Sequence, residues 1–538
     1  MLNRVTILKS VLWLLVGVWA TVTVARFLNG LGSATALSDV TPWGLWIGFD
    51  VMAGVALAAG GFVIAATVYI FGLEQYRAFV RPAILTAFLG YGAVAVGLLY
   101  DLGLPWNIWH PMIYWQYHSV LFEVATCVML YLTVLALEFA PAVLEHPLLR
   151  HRLFQTAHQL LKKVTILLVI AGIVLSTLHQ SSLGSLFLIA PARLHPLWYS
   201  KFLYVFFFVS AVGLGLMTIT LESLLSGYFF RHRIRTELLS GLGVAAAVVL
   251  GLYAVGRLAD QALQGNLAPL LDGSWQSSLF IFELAVSAIV PALLLALPRV
   301  RHSVAGLAVC SAMTVLGMIM YRLDVCIIAF ARPGNMPYFP AWTEIAISLG
   351  VVSAAALAFI FFIENLRVYD EPEPAGDERQ APAASYDPAT SHYLSPYTLL
   401  APRRYSLAFV AGAALAAFLL PRAAIFGSQP LRTPVRAPRT LEGQMIPRGD
   451  GLGHELAIVK PGQELPAGAR QAAFLKIDGN ANGRLVLFPH DDHIKRLGGK
   501  PDSCAKCHHL NMPFDNNTSC FECHRDMFGE TDIFDHAS

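Results

Sequence analysis

Ten apolar runs of about twenty residues or more follow one another along this chain, with an eleventh, weaker one behind them. They lie at about 11–30, 44–73, 83–104, 118–140, 163–185, 200–227, 238–257, 278–297, 303–331 and 342–364, and the weaker one at about 404–421. Roughly 20 apolar residues carry a helix across the hydrocarbon layer. Backbone polar groups in lipid must pair within their own segment, so runs of this kind span as helices. The expected fold class is an all-α polytopic membrane protein with about 11 transmembrane helices. Of the 538 residues, 56% are hydrophobic and 13% charged. Soluble domains carry about 25% charged residues, so one soluble domain and intrinsic disorder are both excluded. A net charge of +2 without a basic stripe argues against nucleic acid as a partner.

Lys and Arg in short loops set orientation. The N-terminus holds Arg4 and Lys9. Alternate connections hold Arg77 and Arg81, then Arg150, Arg152, Lys162 and Lys163, then Arg231, Arg233 and Arg235, then Arg299 and Arg301. The opposite connections offer only Arg193, Lys201, Arg257 and Arg332. The N-terminus is therefore expected in the cytoplasm, in an inner (cytoplasmic) membrane. The first run also has the look of a signal peptide, with Ser33-Ala34-Thr35-Ala36 as a cleavage site. Its apolar stretch is long for a signal, and a retained helix is the favoured reading.

Residues 1–368 form the expected membrane domain. Residues 369–403, rich in Pro, Ala and acids, read as a disordered cytoplasmic linker. Residues 404–421 read as an additional helix, 422–475 as a periplasmic tether, and 476–538 as a small, mostly irregular dihaem domain. Within the last, Lys476 to Phe488, with Asp478-Gly479-Asn480 as the turn, suggests a hairpin.

Cys504-Ala505-Lys506-Cys507-His508 and Cys520-Phe521-Glu522-Cys523-His524 are two C-x-x-C-H motifs. Each signals c-type haem attachment, with two thioethers and a proximal histidine. A four-cysteine zinc site or two disulfides are the competing uses of these cysteines, and neither explains why both pairs are followed by histidine. Such attachment takes place outside the cytoplasmic membrane, so the C-terminus should lie there. Crossing back requires the helix at 404–421. Distal iron ligands are available in His490, His493, His509 and His536, with Met512 and Met527 nearby. The order Phe488-x-His490-x-x-His493, then C-x-x-C-His508-His509, then C-x-x-C-His524 resembles the start of class III multihaem cytochromes c. That resemblance implies His490 distal to the haem of His508 and His509 distal to that of His524. His493 and His536 remain candidate ligands without a haem of this chain to serve.

Ionisable residues inside a membrane are costly and face a cavity or a partner. Here polar groups crowd the outer half: Arg26, Asp50, Asp101, His118, Glu123, His179, Gln180, Glu283, Arg322, Asp324 and Glu344. Asp50, His118, Glu123 and His179 are the candidate groups for a quinone headgroup site, because quinol oxidation needs hydrogen-bond donors and a proton acceptor. Structural pairs such as Arg26 with Asp50, or Arg322 with a nearby acid, are the plainer reading of the same residues. In the inner half, Glu74, Glu138, Glu222 and Glu364 sit near helix ends, where snorkelling is cheap. Buried b haems are disfavoured, since His118 and His179 are the only in-span candidates.

Pro42-Trp43-Gly44-Leu45-Trp46-Ile47-Gly48-Phe49-Asp50, with Ala59-Gly60-Gly61-Phe62 following, resembles the NrfD/polysulfide-reductase membrane-subunit family. So do Leu178-His179-Gln180-Ser181-Ser182-Leu183-Gly184-Ser185 and His195-Pro196-Leu197-Trp198-Tyr199-Ser200. The branch most similar is the HybB-type membrane subunit of periplasmic nickel–iron hydrogenases. The resemblance covers residues 1–368 and implies two four-helix bundles in the core. It implies a haem-free quinone site near the outer surface, where an iron–sulfur subunit docks, and some members are proposed to move protons. The haem tail departs from the pattern. Together these features suggest a membrane subunit passing electrons between menaquinol, or another quinone, and two covalent c-type haems. Periplasmic iron–sulfur, multihaem cytochrome, hydrogenase or oxidoreductase subunits are the expected partners. A passive anchor and haem conduit, or a redox-driven proton translocator, are the alternatives.

Overall fold

The computed structural model describes residues 4–37, 43–115, 119–149, 151–189, 194–230, 235–330, 338–366, 368–369, 403–420, 474–477, 486–489 and 495. Ten helices among them are long and apolar enough to cross a membrane: α1 Arg4–Asn29, α2 Trp46–Ile70, α3 Glu74–Asp101, α4 Val120–Leu144, α5 Arg152–Leu188, α6 Leu203–Phe230, α7 Thr236–Leu263, α8 Trp275–Ala296, α9 Val304–Ile328 and α10 Trp342–Asn365. An eleventh helix, α11, runs Arg403–Leu419. All eleven apolar runs are helical. Helix α5 starts eleven residues before its run because Lys162 and Lys163 continue the helix into polar surroundings, which hydropathy does not register.

Helix α2 packs on α3, α3 on α4, α4 on α5 and α5 on α2, closing one four-helix bundle. Helices α6, α7, α8 and α9 close a second in the same cyclic order. The bundles meet where α2 crosses α6. A Cβ added at Gly215 would lie 2.7 Å from the backbone N of Gly60, so only glycine permits this approach. Helix α10 lies on α3, and α1 lies on α10. Three of these helices, α2, α8 and α9, contain wide i→i+5 turns, at Trp46–Ala53 and Ala66–Ile70, Ala285–Ile289, and Asp324–Ile328. Turns of this type recur at functional sites because they re-aim side chains.

Helix α11 packs along α1 through small residues. A Cβ at Gly17 would overlap the Phe409 carbonyl, and one at Gly412 the Leu14 carbonyl. Without a hydrophobic force between helices in lipid, such close backbone approach supplies the association energy. Thr21 Oγ1 adds a 3.3 Å hydrogen bond to the Ala413 carbonyl. Contacts advance together along both helices: Trp13 meets Phe409, Gly17 meets Phe409 and Ala413, and Ala416 joins the cluster of Val22 and Trp46. The two helices are therefore parallel. The chain leaves α11 at the end of the bundle where α1 carries Arg26.

Strands β1 (Phe474–Ile477) and β2 (Val486–Pro489) pair antiparallel, with Ile477 opposite Val486, in the stretch where the turn sequence suggests a hairpin. The haem-motif residues Cys504, Cys507, His508, His509, Cys520, Cys523 and His524, the candidates His490, His493 and His536, and also His118, lie outside the described residues.

Candidate functional site

Polar side chains converge where the ends of α1, α2, α3 and α10 meet. Asp50 sits in the wide turn of α2 and is 6% exposed. Ser348 of α10 donates to its Oδ2 at 2.7 Å. Gly97 of α3 makes room for it: an added Cβ would lie 2.9 Å from the Asp50 Cβ. Asp101, at the end of α3, is within electrostatic reach of Arg26, Asp50 and Glu344. Its Oδ1 is buried and has no partner among the described residues. Glu344, fully buried in the first turn of α10, accepts from the backbone N of Ala36 at 2.7 Å and of Ala341 at 3.0 Å, and from the Tyr338 hydroxyl. Burial and the Glu344 carboxylate push the Tyr338 hydroxyl pKa up, so it remains a donor.

Arg26 does not pair with Asp50, contrary to the simplest reading of the sequence. Its Nε and Nη2 donate to the Tyr100 carbonyl at 3.1 and 3.0 Å, and Nη2 also to the Leu102 carbonyl at 2.8 Å. The cation sits on the open carbonyls at the C-terminus of α3, the negative end of its dipole. Arg322 behaves alike, donating to the Phe207 carbonyl at 2.8 Å and to Ser210 Oγ at 3.0 Å. Both arginines bond to carbonyl or hydroxyl acceptors, and among the described residues neither forms an ion pair with a nearby acid.

His179 lies in the core of the first bundle, fully buried. Its Nδ1 is 3.0 Å from the Tyr91 hydroxyl. With Tyr91 donating, the ring proton resides on Nε2, which has no acceptor among the described residues. Tyr131 stacks edge-on against Tyr91 at 4.6 Å, and Ser176 lies beside both hydroxyls. Gln180 donates to the Val55 carbonyl at 3.0 Å, tying this layer to α2 just beyond Asp50. Glu123 is apart from both groups, exposed at the start of α4, where it accepts from Ser182 Oγ at 2.6 Å. Helix α3 thus carries a ladder, with Asp101 and Gly97 at the Asp50 cluster and Tyr91 at His179.

The half that the charge pattern assigns to the cytoplasm is less bare than the sequence suggests. Glu222 is half-buried, and Thr86 of α3 donates to it at 2.5 Å. Glu364 pairs with Lys9 at 2.6 Å. In the second bundle, Arg257, Glu283, Arg322 and Asp324 are buried around Tyr253 and Tyr321. Trp198 Nε1 reaches Glu283 at 3.2 Å, and Gln261 holds the Leu197 carbonyl at 3.0 Å. The His195–Ser200 segment thereby caps that bundle, and the His195 backbone N bonds to the Ala329 carbonyl at 2.9 Å.

Ser348, Gly97, Tyr338 and Tyr91 escape sequence reasoning. A serine or glycine in a span carries no charge signal. Tyr91 has one: a phenol deep in a span needs a partner.

The polysulphide reductase, NrfD family model matches residues 33–333, more than half of the chain. The chain belongs to this family. It is 42% identical over 364 residues to a protein of Nitratidesulfovibrio vulgaris, covering 65% of this chain and 92% of that one. The probable Ni/Fe-hydrogenase 2 b-type cytochrome subunit of Escherichia coli is 34% identical, covering 64% and 88%. The menaquinone reductase integral membrane subunit of Nitratidesulfovibrio vulgaris is 28% identical, covering 66% and 89%. The chain is a multi-pass membrane protein of this family, similar to the membrane subunits of a menaquinone reductase and a hydrogenase.

Proposed function

We propose that this subunit exchanges electrons between menaquinol, or another quinol, at the Asp50–Asp101–Glu344 cluster and two c-type haems on its own C-terminal segment, which pass them to periplasmic partners. The observation that carries this reading is the parallel course of α11 along α1. It has the chain leave α11 at the end of the bundle that holds the acid cluster, and both C-x-x-C-H motifs follow in the sequence.

The residues fit a quinol site. A bound quinol supplies two electrons and two protons. Asp50, with Oδ2 held by Ser348, takes the two protons one after the other at Oδ1. Asp101, whose Oδ1 is unpartnered among the described residues, stands next to it near the surface and passes each proton outward. Glu344 is fixed by three donors and positions the mouth of the site. Tyr91, donating to Nδ1, orients His179 with its Nε2–H buried and without a partner among the described residues. Cys504 and Cys507, and Cys520 and Cys523, hold the two haems by thioethers. His508, His524, His490 and His509 would supply the iron ligands, and the two haems together would accept the two electrons of one quinol. Flow toward quinone uses the same groups in reverse.

Sealed spheroplasts test the arrangement. Protease added outside should release a fragment that stains for covalent haem, while Arg77 and Arg299 connections stay uncut. A haem-stained fragment released only after lysis contradicts it.

A redox-driven proton translocator is the second reading. It is favoured by the half-buried Glu222, held by Thr86 on the same helix α3 that carries Tyr91. Acidification inside inverted proteoliposomes beyond the protons of quinol oxidation, lost in Glu222→Gln, would support it.

A further inference from the structure

The connection between α3 and α4 has an unusual surface. From Leu102 to Phe122 the sequence contains no Asp, Glu, Lys or Arg. Its described part, up to Trp115, exposes large side chains: Leu104 is 54% exposed, Trp106 68%, Met112 60%, Ile113 64%, Tyr114 55% and Trp115 72%. This is not a loose loop. Short helical turns at Pro105–Asn107 and His110–Ile113 shape it. Trp115 Nε1 donates to the Met112 carbonyl at 3.0 Å, and the rings of Trp109 and His110 meet edge-on at 4.5 Å. An ordered, uncharged surface of this kind is costly in water and needs a cover.

We infer that Leu104–Trp115 is a shelf embedded in the outer headgroup layer of the bilayer. Three observations select lipid as the occupant. The segment joins two spans, so both its ends lie at the membrane boundary. The neighbouring spans expose apolar side chains of the kind a bilayer covers, including Leu121 and Leu130 on α4 and Leu167 and Val174 on α5. Other tryptophans lie at the same end of the bundle, Trp275 opening α8 and Trp342 opening α10, both exposed. The opposite end carries Arg77, Arg81, Arg299 and Arg301 instead. Aromatic rings with polar edges settle at the headgroup level, and helical segments with apolar faces lie in its plane. The shelf begins just after Asp101, whose helix end Arg26 clamps through the Leu102 carbonyl. The acid cluster then opens at headgroup depth, with lipid on one side and water above.

Spin labels on Met112→Cys and Trp115→Cys in proteoliposomes test this. Collision with oxygen, which partitions into lipid, is compared with collision with a water-soluble nickel chelate. Ile170→Cys, exposed on α5, serves as the lipid reference, and the exposed Lys201→Cys as the aqueous one. The oxygen-to-nickel ratio should be several-fold higher at both shelf positions than at Lys201→Cys. A ratio matching Lys201→Cys overturns the inference, since the shelf would then face water. Exclusion of both reagents overturns it too, since protein would then cover the shelf. If one variant fails to fold, the other position carries the test.

Discussion

Arg26 holds the Tyr100 carbonyl with two donors, at 3.1 and 3.0 Å, and so fastens the end of α1 to the end of α3. A third bond, to Leu102, completes the cap. The charge that seems made for Asp50 is spent on the backbone, and Asp50 is left to a neutral serine. That division is what keeps a carboxyl group chemically available inside the membrane.

Arg26→Ala should destabilise the protein by about 2–3 kcal/mol, because charge-assisted bonds are lost and buried carbonyls are left unmet. Arg26→Lys should recover only part of this, since an ammonium cannot fork across two carbonyls. Unfolding of the purified chain in mixed micelles measures both.

Gly97→Ala should impair the site without touching a titratable group. The new methyl would press on Asp50 Cβ, 2.9 Å away, and turn its carboxyl from Ser348. Misplacement of a proton acceptor costs on the order of 10²-fold in rate. Steady-state quinol oxidation should fall by that order, with haem content unchanged.

Gly412→Leu should detach α11 from α1, because its backbone touches Leu14. Quinol-dependent haem reduction should drop while dithionite still reduces the haems. Equal loss of both would mean that the substitution acts through folding.

Cys504→Ala with Cys507→Ala should halve the pyridine haemochrome yield per chain. His509→Met should raise the potential of one haem, as Met/His ligation does relative to bis-His. A redox titration checks the second claim.

Acid should loosen the cap of the second bundle at His195. Burial, partly offset by Asp272, lowers the pKa of this histidine. Its Nδ1 accepts from the Leu197 backbone N at 3.3 Å, which requires the neutral ring. A group favoured neutral in the fold contributes stability above its unfolded pKa, about 6.5. That contribution is lost as pH falls below this value. Hydrogen exchange at Leu197 and Trp198 should rise between neutral and mildly acid pH, and not in His195→Gln.

The spans were legible because burying backbone in lipid leaves one solution for twenty apolar residues. The gathering of Asp50 and Glu344 was legible for the same reason, through the cost of charge, whereas His179 lies apart from them on Tyr91. Their partners were not. Ser348 reaches Asp50 across 298 positions, and Tyr91 reaches His179 across 88. Such pairings depend on helix rotation, which wide turns in α2 and α9 shift by a fraction of a turn. Arg26 misled because proximity in depth suggested an ion pair, whereas a helix end offered it two better placed carbonyl acceptors.

The most direct test mixes menaquinol anaerobically with the purified chain and follows the c-haem absorption band, for the native protein and for Asp50→Asn at equal haem content. The account predicts reduction of the native haems and a rate lower by on the order of 10²-fold in Asp50→Asn, with both forms fully reduced by dithionite. Equal rates in the two proteins, or no reduction of haems whose measured potential lies above that of the quinol, would contradict it.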